Sequence, residues 1–259
     1  MIPDTDKAYI AGLFDGEGSI YFAKRPEKKK KHKGPGYRTS ISQRISMEIT
    51  MTDKSVLTWV HEVLGVGGTI QKHIQLGDIV NVVIVCDRES THDQRAFASS
   101  ANKTLGVNDI KWLGFKDECV DNMMRDLIKR LEAVYDIMKP DVVYICNSDD
   151  INTDHQIIHR ACVVVCRSIQ DFPPRQVLVY EVPSSTTQSL PKTFQPNYYV
   201  SLTEDMINTK CEALYAYKCE LREEPNPRNS RGLIVHAQYR GMECSAMYAE
   251  GFNLLYERR

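Results

Sequence analysis

Two hydrophobic patterns divide this chain. From about residue 62 onward, continuous apolar runs alternate with stretches in which apolar residues recur every three or four positions. The run Ile79-Val80-Asn81-Val82-Val83-Ile84-Val85 follows a Gly77-Asp78 turn and predicts a strand buried on both faces; Asp141 to Cys146 (DVVYIC) and Gln176 to Tyr180 (QVLVY) predict two more. Between them, Asp121 to Met138 has the period of a long amphipathic helix and Gln156 to Ser168 reads as another helix, while Glu62 to Ile70 leads into a short helix that ends at about Gln75. Such alternation predicts an α/β fold: a Rossmann-like, mainly parallel sheet with helices on both faces. Ligands of these sheets gather beyond the carboxyl ends of the strands, which directs attention to residues 86–90, 147–155 and 181–186. The earlier part reads differently. Residues 7–14 form an apolar, helix-like run that ends in Asp15-Gly16-Glu17-Gly18, followed by a short strand at 19–23. Tyr37 to Thr50 alternates as an extended strand, and Met51 to Leu64 is expected as a helix capped by Thr52 or Asp53. This predicts a small α+β segment ahead of the sheet.

Charge sharpens that division. The 259 residues carry 33 Lys and Arg against 34 Asp and Glu, but residues 1–60 are net +4 and residues 61–259 net −5. A 42% hydrophobic and 26% charged composition excludes a collagen-like or wholly disordered chain. No run approaches the ~18 apolar residues of a membrane span and the N-terminus lacks a signal-peptide pattern, so a cytoplasmic protein without a membrane partner is expected. All eight cysteines fall after residue 61 with no CxxC pair, which predicts reduced, packed thiols; Cys162 and Cys166 read as one buried helix face. The Lys-rich stretch 24–36 (KRPEKKKKHKGPG) suits either phosphate neutralisation or a solubilising hairpin tip.

The densest polar cluster follows the second predicted strand, Asn147-Ser148-Asp149-Asp150-Ile151-Asn152-Thr153-Asp154-His155. An imidazole with oxygen ligands suits zinc in a hydrolase, and a neighbouring carboxylate can orient its second nitrogen. A surface or helix-capping role for His155 stays open beside that reading.

Several separated stretches then agree in order: EVLGVGGTI, WLGFKDE at 112–118, NTDHQIIHRA at 152–161, YEVPSSTT at 180–187, FQPNYYV at 194–200 and the tail from Lys218 to Phe252. Over residues 62–259 this set resembles the PIG-L/LmbE family of zinc-dependent N-acetylglucosaminyl deacetylases. The resemblance implies His155 as a zinc ligand, Asp154 as the acidic residue beside it, and Asn152 where some members place a histidine that stabilises the tetrahedral intermediate. It also implies substrate contacts from Glu181, Ser184, Arg228 and His236, with Ser185 and Thr186 lining the same loop; Glu250 reads as a cap or tether of its helix. The family opens with a strand followed by His-Pro-Asp-Asp-Glu, whose His and second Asp bind zinc and whose first Asp is the base. Here Leu57-Thr58-Trp59-Val60-His61 precedes Glu62, so that strand and loop are expected to be missing.

The start of the chain, Ile10-Ala11-Gly12-Leu13-Phe14-Asp15-Gly16-Glu17-Gly18, resembles the signature of LAGLIDADG homing endonucleases, with Glu17 matching the metal-binding acid. That resemblance, over about residues 1–67, implies a half-domain with DNA contact through residues 24–44 and magnesium only on an endonuclease reading. The expectation is therefore a chimera with domains 1–61 and 62–259. Three functions follow: a zinc hydrolase deacetylating an N-acetyl sugar conjugate, inactive if the lost loop is not replaced; a DNA-binding homing endonuclease or its remnant; or a non-catalytic sugar-conjugate binder. A homo-oligomer is compatible with each. Either the SISQRISMEI strand substitutes for the missing sheet strand or that edge stays open.

Overall fold

The computed structural model describes residues 19–25, 44–50, 55–58, 63–87, 94–116 and 120–258. The chain divides into two compact units, residues 1–52 and 53–259, each taken by itself here. In the first unit β1 (Ser19–Arg25) and β2 (Arg44–Thr50) pair antiparallel, Ser19 opposite Thr50 and Arg25 opposite Arg44, as a two-stranded sheet. Glu17 and most of the Lys-rich stretch, with the DNA contacts expected of them, lie outside the described residues.

The second unit is built on seven strands: β3 (Ser55–Thr58), β4 (Ile79–Asp87), β5 (Asp109–Lys116), β6 (Val142–Cys146), β7 (Gln176–Tyr180), β8 (Tyr198–Leu202) and β9 (Tyr248–Glu257). Their order across the sheet is β5-β4-β3-β6-β7-β9-β8. The strands from β5 to β7 run parallel, whereas β9 is antiparallel to both β7 and β8. Every residue of β6 is buried, because both faces of a central parallel strand are covered by helices and neither needs a polar stripe. The helices are α1 (Val63–Gln75), α2 (Gln94–Leu105), α3 (Met124–Met138), α4 (Thr153–Val165), α5 (Glu204–Tyr215) and α6 (Ser230–Glu243). Leu127, Leu131 and Tyr135, four residues apart, form the buried stripe of α3, which packs on α4; α1 packs on α5.

One expectation is corrected here. Residues 51–64 do not form a single helix: Ser55–Thr58 is a strand, and α1 begins at Val63. That strand sits in the middle of the sheet between β4 and β6, Val56 level with Val80 on one side and Val142 on the other. The sheet therefore has not lost its first strand. Four residues from the stretch assigned to the basic segment supply it, while the described part of the SISQRISMEI region pairs with β1. From β3 the chain steps outward to β4 and β5, then returns to β6 on the other side, so the order reverses between β3 and β6, where a ligand crevice belongs.

The LGVGG sequence has a packing cause. A Cβ on Gly65 would stand 2.6 Å from the Tyr180 ring and one on Gly68 2.4 Å from Leu202 Cδ1, so only glycine lets α1 lie this close to the strands. Glu250 on β9 tethers α1, not its own strand's neighbours. Its Oε1 accepts the Gly68 N–H at 3.0 Å and Lys210 Nζ at 2.6 Å, and its Oε2 accepts the Thr69 N–H at 2.7 Å. Among the described residues the cysteines are unpaired with one another and no helix is long and apolar enough to cross a membrane.

Candidate functional site

The carboxyl end of β6 turns through residues 147–152 into α4. Asn152 is the cap of that helix: its side-chain oxygen accepts the N–H of Asp154 at 2.9 Å and of His155 at 3.3 Å. Ordering the turn in this way fixes the two residues that follow. Asp150, 1% exposed, anchors the turn from within. Its Oδ1 accepts the Asn152 N–H at 2.8 Å, and its Oδ2 accepts the hydroxyls of Ser185 at 2.8 Å and Thr186 at 2.6 Å. His155 Nδ1 stands 3.4 Å from the same Oδ2. Burial works to raise the Asp150 pKa, but His155, the Thr186 hydroxyl and the Asn152 N–H outweigh it and hold the carboxyl below its ordinary value. A carboxylate that stays charged and faces one ring nitrogen orients His155.

Asp154 is buried beside His155, its Oδ2 3.7 Å from Cys86 Sγ at the end of β4. One helical turn on, His159 donates Nδ1–H to the Cys146 carbonyl at 2.7 Å, and burial lowers its pKa more than that bond and Asp149 raise it. Cys146 donates to the His155 carbonyl at 3.1 Å; burial raises the Cys146 and Cys162 thiols well above the ordinary value, so both are packed, unreactive groups, as expected.

A cavity of about 480 Å³ opens beyond β7, walled by Glu181, Thr186, Phe194, Tyr199, His236 and Arg240 among others. Glu181, 3% exposed, meets Arg240 through two bonds, Nε to Oε1 at 2.5 Å and Nη2 to Oε2 at 2.7 Å. His236 Nε2 lies 3.5 Å from Glu181 Oε1. Burial alone would raise the Glu181 pKa; the contacts with His236 and Arg240 and the charge of Arg240 hold it below the usual carboxylate range. Thr186 belongs to both places, since it bonds Asp150 and also lines the cavity.

The sequence-predicted residues therefore separate. Asn152, Asp154 and His155 gather at the end of β6, and Glu181 and His236 meet in the cavity. The buried Ser184 Oγ has no hydrogen-bond partner. Arg228 instead pairs with Glu220 at 2.6 Å and is not among the cavity-lining residues. Arg240 was not singled out from sequence although it lies within the matching tail; its signal is visible only once Glu181, 59 positions earlier, is placed against it. Among the described residues, no group of three or more His, Cys, Asp and Glu side chains is arranged to hold a metal ion. His155 with Asp150 and Asp154 thus does not complete a zinc centre among the described residues.

Residues 61–166 match the PIG-L family, described as GlcNAc-PI de-N-acetylase. This is the stretch of the chain that is similar to that family. It contains Asp150, Asp154 and His155, whereas the cavity's Glu181, His236 and Arg240 fall after it. The chain is similar to YaiS, an uncharacterised deacetylase of Escherichia coli K12, 28% identical over 164 residues that cover 60% of this chain and 83% of that protein. Among solved structures it is similar to the N,N'-diacetylchitobiose deacetylase of Pyrococcus horikoshii complexed with an inhibitor: TM-score 0.63, 19% identity, 79% of this chain and 84% of that one. It is also similar to GalB, the 4-carboxy-2-hydroxymuconate hydratase of Pseudomonas putida KT2440: TM-score 0.62, 18% identity, 81% and 98%. One fold thus carries a deacetylase and a hydratase, so the fold alone does not choose the reaction.

Proposed function

We propose that this protein is a carbon–nitrogen hydrolase that removes the acetyl group from an N-acetyl sugar conjugate. The observation that carries the reading is Thr186, which joins the Asp150–His155 pair to the wall of the adjoining cavity. An amide-directed group and a substrate pocket then share one loop.

The family match to a de-N-acetylase and the similarity to a diacetylchitobiose deacetylase support this class of substrate. Within it, Asp150 keeps its charge and holds the His155 ring toward the acyl group. Asp154 is the acidic residue beside that ring. Asn152 has committed its oxygen to capping α4, so its amide hydrogens are what it can offer a bound acyl oxygen. Glu181, with Ser184 nearby, receives sugar hydroxyls. Aromatic rings of Phe194, Tyr199 and Tyr239 beside polar groups suit a pyranose, which has both apolar faces and an equator of hydroxyls.

The reading is tested by incubating the full chain with methyl N-acetyl-β-glucosaminide and, separately, with N-acetylglycine, following acetate and primary amine. Equimolar acetate and amine from the sugar alone are expected. No acetate from any N-acetyl glycoside, with or without added zinc, would defeat it.

A further inference from the structure

The cavity holds an imidazole whose position the reading above leaves unexplained. Glu181 needs no second partner for its charge: Arg240 already covers both oxygens, and Arg240 is itself fixed by Glu243 at 2.7 Å and by the rings of Tyr239 and Phe194, 5.1 and 5.7 Å away. Tyr199 in turn donates to Glu243 at 3.2 Å. Yet His236 points Nε2 at Glu181 Oε1 while its side chain, 19% exposed, lines the cavity. An anion that cannot rotate away and faces one ring nitrogen selects the tautomer with hydrogen on that nitrogen. Nε2–H is thus directed at Glu181, and the basic lone pair is left on Nδ1, which has no hydrogen-bond partner among the described residues. The titratable and charged groups that line the cavity with His236 are Glu181 after β7, Lys192 in the loop before β8, Tyr199 on β8, and Tyr239, Arg240 and Glu243.

We infer that His236 is the proton carrier of this cavity: Nδ1 takes a proton from a bound group and returns it, while Nε2–H remains on Glu181. This rests on the deacetylase reading for its reaction. In amide hydrolysis, water oxygen bonds the acyl carbon as Nδ1 takes one water proton. The C–N bond then breaks and the departing nitrogen receives that proton from Nδ1. The carboxylic acid keeps the other hydrogen until it ionises in solvent, and His236 ends neutral, as it began.

The test uses the full chain and the variant His236→Gln, whose amide can still donate to Glu181 but has no basic nitrogen. The imidazole signals of the wild type are followed by proton–nitrogen NMR, with the signal absent from the variant assigned to His236. Adding methyl N-acetyl-β-glucosaminide, or glucosamine as the product amine, is expected to move that signal. Acetate release is expected to fall about 100-fold or more in kcat, with KM within a few-fold. The pH profile of kcat should also differ between wild type and variant. A His236 signal unmoved by saturating glycoside and amine overturns the inference, as does a folded variant with unchanged kcat and pH profile. If the signal moves but the wild type releases no acetate, the deacetylase reading fails and His236 stands as the ligand-facing base.

Discussion

Replacing Asp150 by Asn separates the charge of this group from its shape. In the wild type one carboxylate serves the Asn152 N–H, two hydroxyls and the facing His155. Asparagine can keep an oxygen on the Asn152 N–H, but it then presents an NH2 to Ser185, Thr186 and the imidazole. Two hydrogen bonds to a charged acceptor are lost, each worth about 1.5–3 kcal/mol. The hydroxyls can rotate to accept from the new NH2, which recovers part of that. A net loss of about 2–3 kcal/mol is expected at pH 7, small enough to leave the protein folded. The sign of the pH dependence follows from the lowered pKa. Asp150 contributes stability above the ordinary carboxylate value of about 4, and that contribution disappears as pH falls through the folded value, because the unfolded chain binds the proton first. Glu181 behaves the same way in both proteins and cancels from the difference. Urea unfolding of wild type and D150N at pH 7, 5 and 3 should show a gap that is full at the two higher values and narrows at the lowest. A gap that is absent at pH 7, or constant over the range, would refute the account of Asp150 as a charged, shared acceptor.

Two further outcomes follow from the packing. Arg240→Met leaves the buried Glu181 without its bidentate partner and should cost about 3–5 kcal/mol in denaturant unfolding, with R240K losing less because it keeps the charge. A chain starting at Asp53 should fold with the unfolding midpoint of the full protein, whereas one starting at Glu62 lacks the central β3 and should not give a cooperative transition; equal behaviour of the two would show that β3 does not belong to the sheet.

The strands β4, β6 and β7 and the helices α3 and α4 were legible because their apolar residues are continuous or regularly spaced, whereas of α1 only the end near Gln75 was. β3 was not: Ser55–Thr58 is only four residues long, and the apolar residues around it also fit a helical period, so a strand paired on both sides reads locally as a helix. β5 is half-exposed at the sheet edge, and β8 and β9 reverse the parallel pattern, which no local signal announces. The site divides in the same way. Asn152, Asp154 and His155 are neighbours in sequence and arrive together on one helix start. Glu181 and Arg240 meet only through the fold, and Arg228, predicted from its place in the matching tail, turns to Glu220 instead. Thr186, expected only to line its loop, proves to connect the two halves.

The central claim is that the Asp150–His155 pair and the adjoining cavity together split an N-acetyl sugar. The most direct measurement compares primary amine formed from methyl N-acetyl-β-glucosaminide by the wild type, His155→Gln and D150N, each first shown to be folded. The account predicts turnover by the wild type, none by His155→Gln, and a reduced kcat for D150N with little change in KM. Equal amine from all three proteins, or none from the wild type, would contradict it.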